Sequence, residues 1–135
     1  MAGTANSIIT PQTPRSACVA VSSANTTFST SPTNTVLLVT AGLNGGRLTR
    51  LQAIPMENVT ANFLQAYSST EGGTTKHLVG AATGGSDTVS GTDGPTIIDF
   101  GYSDANPLML APEEEIYVAT GIAKGYHVRA EWADY

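Results

Sequence analysis

The chain has 135 residues, enough for one domain that buries its own core without disulfide or metal staples. Hydrophobic residues make up 41% and charged residues only 13%, so Ser and Thr carry much of the polarity. A net charge of −5 with scattered Lys and Arg argues against direct nucleic-acid reading, and no run reaches the roughly 18 apolar residues of a membrane helix.

Residues 1–15 stand apart as an extended N-terminal arm. Pro11 and Pro14 disfavour helix and bias the backbone toward extension. Beyond Met1, Ile8 and Ile9 are the arm's only large apolar side chains. Burying them is worth about 3–6 kcal/mol, whereas ordering each residue costs roughly 1–2 kcal/mol. Docking on a sheet edge or a neighbouring chain is the expected source of the difference. Ile8, Ile9, Pro11, Pro14 and Arg15 are therefore the candidate intermolecular residues, with Arg15 at the junction expected to meet an acidic group. Removal of residues 2–14 is expected to spare the fold. The arm lacks the basic start and long apolar run of a signal peptide, so a cytoplasmic site of synthesis is expected.

Residues 16–135 read as the folded domain. Ala17, Val19 and Val21 alternate with Cys18 and Ala20, which predicts a strand with the single cysteine as a small buried hydrophobe. A polar stretch follows over 22–34. Val36 to Val39 is continuously apolar and predicts a strand buried on both faces. Asn44-Gly45-Gly46 signals a turn. Leu48, Leu51 and Ile54 are spaced by three, a spacing that a strand with a bulge accommodates before Pro55.

Val59, Ala61, Phe63 and Tyr67 predict one core-facing side of the next strand, with Gln65 the polar exception. Glu71-Gly72-Gly73 predicts a hairpin turn toward 74–79, and residues 80–94 a long Gly-rich loop. Thr96, Ile98, Phe100 and Tyr102 alternate, Leu108 to Leu110 is a short apolar piece, and Ile116, Val118 and Thr120 alternate again. The last segment is the clearest. Tyr126, Val128, Ala130 and Trp132 fall on one face and His127, Arg129 and Glu131 on the other. About eight strands with regular turn signals predict an all-β, single-domain antiparallel β-sandwich or jelly roll. The predicted core includes Val59, Phe63, Ile98, Phe100, Val118, Val128 and Trp132.

No catalytic set emerges, and neither enzymatic activity nor a cofactor is expected. His77 and His127 lack the close pairing of a cupin metal site. Glu113-Glu114-Glu115 would splay on a strand, which favours a solvated turn over a Ca²⁺ cage, and Asp87 with Asp93 supports such a site only weakly. The Gly-rich loop lacks a phosphate-loop Lys, and no Gly-x-Ser-x-Gly elbow occurs. Cys18 has no basic neighbour in sequence. Asn25-Thr26-Thr27 and Asn58-Val59-Thr60 match glycosylation sequons, which carry little meaning without a secretion signal. Trp132 with Tyr117, Tyr126 and Tyr135 would make a sugar-stacking platform only if exposed, and the face of Trp132 favours the core.

Several stretches carry a resemblance. They are Asn6 to Arg15, Ala53-Ile54-Pro55, Val59-Thr60-Ala61, Leu64 to Tyr67, Gly72 to Lys76, Ile116 to Gly121 and Val128 to Trp132. Together they resemble the head decoration, or cement, proteins of tailed bacteriophages. The resemblance implies a β-rich virion protein, commonly a homotrimer, on the capsid exterior after assembly in the host cytoplasm. It implies two partners, the major capsid protein and further copies of itself, with no direct contact to nucleic acid or membrane. A tail or fibre component with a carbohydrate-binding β-sandwich is the alternative, and it requires an exposed aromatic pair beside polar loops.

Overall fold

Period-two alternation sets most of the elements. A computed structural model describes residues 10–135, which form nine strands and no helix. They are β1 (Thr13–Val21), β2 (Val36–Thr40), β3 (Gly46–Pro55), β4 (Asn62–Ser69), β5 (His77–Gly84), β6 (Ile98–Asp99), β7 (Leu108–Leu110), β8 (Glu115–Thr120) and β9 (Tyr126–Asp134). The first sheet has the order β1-β9-β3-β6, with β7 also on β3, and the second the order β2-β8-β4-β5. All of these strand pairs are antiparallel.

The pairs are nested. β4 lies with β5, β3 with β6 and β7, β2 with β8, and β1 with β9. One long ribbon folded at the β4–β5 hairpin and wound between two sheets gives this order, which is the connectivity of a jelly roll. The sheets enclose one core, with Leu48, Leu51, Val128, Ala130 and Trp132 from the first and Val39, Leu64, Ala66, Ile116 and Val118 from the second. The final strand behaves as its alternation predicts: Tyr126, Val128, Ala130 and Trp132 are buried, while His127 and Arg129 are exposed.

The spacing of three in β3 is resolved by a register shift against β9 between Leu48 and Arg50. The extra residue lets Leu48 and Leu51 both reach the core and turns Ile54 to the opposite face. At the turn into β3, Gly45 has φ +82°, and a Cβ there would lie 2.5 Å from the carbonyl oxygen of Leu110. Only glycine fits that position.

Several expectations are corrected. Thr13, Pro14 and Arg15 pair with Asp134, Ala133 and Trp132, so β1 begins inside the segment assigned to the arm. Arg15 is consequently a strand residue, and removal of residues 2–14 would cut into the sheet. Pro14 is tolerated because β1 is an edge strand. Cys18 is exposed, on the face opposite Val19 and Val21. In β2 a register shift between Leu37 and Val39 leaves Leu37 exposed, so the strand is not buried on both faces. Residues 80–84 belong to β5 rather than to a loop, and the expected strand over Thr96 to Tyr102 shrinks to Ile98–Asp99. Leu108 to Leu110 is a strand in its own right.

The largest correction is in β4. Leu64 and Ala66 face the core, whereas Phe63, Gln65 and Tyr67 face away from it. Phe63 is 51% exposed and is not a core residue. Of the other predicted core positions, Val59, Val118, Val128 and Trp132 are buried, and Ile98 and Phe100 pack partly buried against the cluster.

Candidate functional site

The polar segment between β1 and β2 lies against the outer face of the second sheet. The main-chain N–H of Asn25 donates to the Thr120 carbonyl at 2.8 Å, and that of Lys76 to the Thr30 carbonyl at 3.0 Å. The segment buries the side of β4 that would otherwise meet water, so Gln65 and Tyr67 are fully enclosed although they are not core residues.

Asn25 organises this layer. Its amide donates to Gln65 Oε1 at 2.7 Å, to Tyr67 Oη at 2.9 Å and to the Thr27 carbonyl at 3.0 Å. Its Oδ1 accepts from the Thr33 and Thr27 main-chain N–H groups at 3.0 and 3.3 Å. Gln65 Nε2 returns a bond to the Asn25 carbonyl at 2.9 Å, and Tyr67 Oη donates to Gln65 Oε1 at 3.0 Å. Burial raises the Tyr67 hydroxyl pKa, and the bond with Asn25 offsets part of the rise. Buried amides that satisfy one another fix the segment without leaving an orphan. The engagement of Asn25 also leaves no room for a glycan on it in the folded protein.

Beside this network opens an uncharged groove of about 330 Å³. Phe28, Phe63, Ala61, Ile122, Thr26 and Asn62 contribute to its lining. Phe28 is 55% exposed, so two aromatic rings from different elements stand free in one groove. The amide donors around it are already used: Asn62 Nδ2 donates to Tyr126 Oη at 2.7 Å and to the Thr60 carbonyl at 3.0 Å. The groove therefore offers apolar contact and few free donors.

A second feature is the outer edge of β1. Its inner edge pairs with β9 along the full nine residues, and no other strand among the described residues pairs with its outer edge. Gln12 N–H bonds to the Asp134 carbonyl at 2.8 Å, extending the attachment just ahead of the strand. Arg15 Nε lies 3.1 Å from Oδ2 of the buried Asp134, whose Oδ1 accepts from Gly42 N–H at 3.0 Å. The acidic neighbour of Arg15 thus lies in the same chain. Ile8 and Ile9 fall outside the described residues, and Pro11 is half-buried next to β1.

The other candidates do not converge. His77 and His127 are both exposed, on β5 and β9. Glu114 is buried and takes the Ser68 hydroxyl at 2.6 Å and the Ala111 N–H at 2.9 Å, while Glu115 accepts from Tyr117. Asp87 caps Thr96 N–H at 2.7 Å. Among the described residues no three His, Cys, Asp or Glu side chains gather as metal ligands would. Cys18 does have a basic neighbour across the sheet, because Arg129 Nη1 lies 3.5 Å from its Sγ. No helix among the described residues is long and apolar enough to cross a membrane.

Sequence reasoning missed the groove and Asn25. The one signal was Gln65, a polar residue on a face otherwise apolar, which marked the face covered by a polar segment. No protein-family model, curated protein or solved structure matches this chain.

Proposed function

We propose that this chain is a non-catalytic structural protein of a virus particle, a decoration protein that binds the outside of a tailed-phage head and bridges neighbouring capsomers. The observation that carries the reading is the nine-residue outer edge of β1, which no strand among the described residues covers and which follows the uncharged segment holding Ile8 and Ile9 in sequence. An unpaired strand edge is a template for strand addition by another chain. On a symmetric shell even a weak contact of this kind is repeated at every equivalent position. The jelly-roll connectivity and the likeness to cement proteins agree with the reading, though a fold alone does not assign a function. The partners are the major capsid protein and further copies of this chain. The test is co-sedimentation with empty shells of the same virus. The full chain should pellet saturably, and a chain lacking residues 2–9 should pellet less. Absence of saturable pelleting by the full chain would rule the reading out.

The exposed pair Phe28 and Phe63 favours one second reading, a tail or fibre module that stacks sugars. The consumed amide donors weigh against it, because sugar recognition needs free hydrogen-bonding groups beside the rings. Glycan binding abolished by Phe63→Ala would support this second reading over the first.

A further inference from the structure

We propose that the groove between Phe28 and Phe63 receives Ile8 and Ile9 from a second copy of this chain, so that copies associate by arm exchange. The inference rests on reading the N-terminal segment as an intermolecular element.

Geometry excludes the chain's own groove. Thr13 pairs with Asp134 and Val21 with Tyr126, so β1 spans the length of the sandwich. The groove lies at the Val21 end, where Asn62 binds Tyr126 Oη and Gly121 N–H binds the Phe63 carbonyl at 3.0 Å. The N-terminal segment leaves at the other end, tied down by Gln12 to Asp134. From Thr13 to Val21 is about 26 Å along the strand. Ile9 reaches at most about 10 Å beyond Gln12, and Ile8 about 14 Å. Neither can return along the strand to its own groove. A neighbouring copy has no such constraint.

Chemistry favours this occupant. No residue lining the groove is charged, and residues 2–14 carry no charge either. Two adjacent isoleucines are the sort of side chains that a donor-poor cleft between phenylalanines accepts without burying an unpaired polar group. Pro11 and Pro14 limit the conformational freedom lost when the segment docks. The contact is heterologous, with an arm meeting a groove, so the rotation between copies determines whether a closed ring forms.

Sedimentation equilibrium of the full chain without any capsid tests this. Wild type should self-associate. The double variant Ile8→Asp/Ile9→Asp and the double variant Phe28→Asp/Phe63→Asp should each raise the dissociation constant by about tenfold or more. Circular dichroism should remain that of wild type, because every substituted groove ring is already exposed. An equimolar mixture of the two variants should form 1:1 pairs and nothing larger, since each pair keeps one intact arm and one intact groove. A monomeric wild type, association unaffected by either double variant, or assemblies larger than 1:1 pairs in the mixture would each overturn the proposal. The capsid reading fails separately: self-association through the groove without shell binding would refute it and leave arm exchange standing. Shell binding by a monomeric chain would do the reverse.

Discussion

Trp132 anchors the core and also carries a buried polar atom. Its ring closes the core, and its Nε1–H is buried with no hydrogen-bond partner among the described residues. Removing the ring should cost about 3–5 kcal/mol, so Trp132→Ala should lower the urea midpoint sharply. Trp132→Phe loses volume but also removes a buried orphan donor worth roughly 1–3 kcal/mol, so it should cost far less than alanine. Equal losses for the two variants would contradict this account of the orphan. Asn25 is the opposite case, with each polar atom engaged. Asn25→Ala leaves Gln65 and Tyr67 short of partners and should cost about 2–3 kcal/mol, measurable by the same unfolding curves. Burial raises the pKa of Tyr67 and Tyr126 above the ordinary 10.0, with hydrogen bonds to Asn25 and Asn62 offsetting part of it. The folded state prefers the neutral phenol, whereas unfolded tyrosine ionises near pH 10. This contribution to stability is complete below about pH 10 and is lost as pH climbs through the raised folded-state values. Urea midpoints should therefore fall above about pH 10, and fall less steeply in Tyr67→Phe. A variant as steep as wild type would show that Tyr67 is not responsible.

At the scale of elements, the N-terminal boundary matters most. Because β1 starts at Thr13 and Arg15 covers the buried Asp134, two truncations should behave differently. Deleting residues 2–9 should leave the melting temperature nearly unchanged. Deleting residues 2–15 removes three paired residues and the guanidinium on Asp134, and should lower it by roughly 5 °C or more. Equal melting temperatures would place the true boundary after Arg15. The strands were legible wherever one face meets the core and the other meets water, as in β9. They were misread where that assumption fails. In β4 the segment around Asn25 covers Gln65 and Tyr67, so the outer face reads as a core face although Phe63 on it stays exposed. In β2 a bulge breaks the alternation that would have marked Leu37 as exposed. In β1 the small, polar residues of an edge strand resemble those of an extended arm, which is why sequence alone puts Pro14 and Arg15 outside the body.

For the whole molecule, the sandwich was readable from the density of strands and turns, and its nested connectivity follows from the register of those strands. The groove was not readable. It depends on Phe28, in the polar segment between β1 and β2, approaching Phe63 on β4, a proximity that no local pattern encodes. The two proposals assign different surfaces to different tasks: the β1 edge meets a neighbouring chain, and the groove accepts an N-terminal segment. Only the first requires that the chain work as one copy among many on a lattice. The most direct measurement of the proposed role is electron cryo-microscopy of empty phage shells after incubation with the purified protein. The account predicts symmetry-ordered density for this sandwich on the outer surface, at the junctions between capsomers, with the β1 edge facing a neighbouring chain. Shells that remain bare at saturating protein, or density confined to the tail, would contradict it.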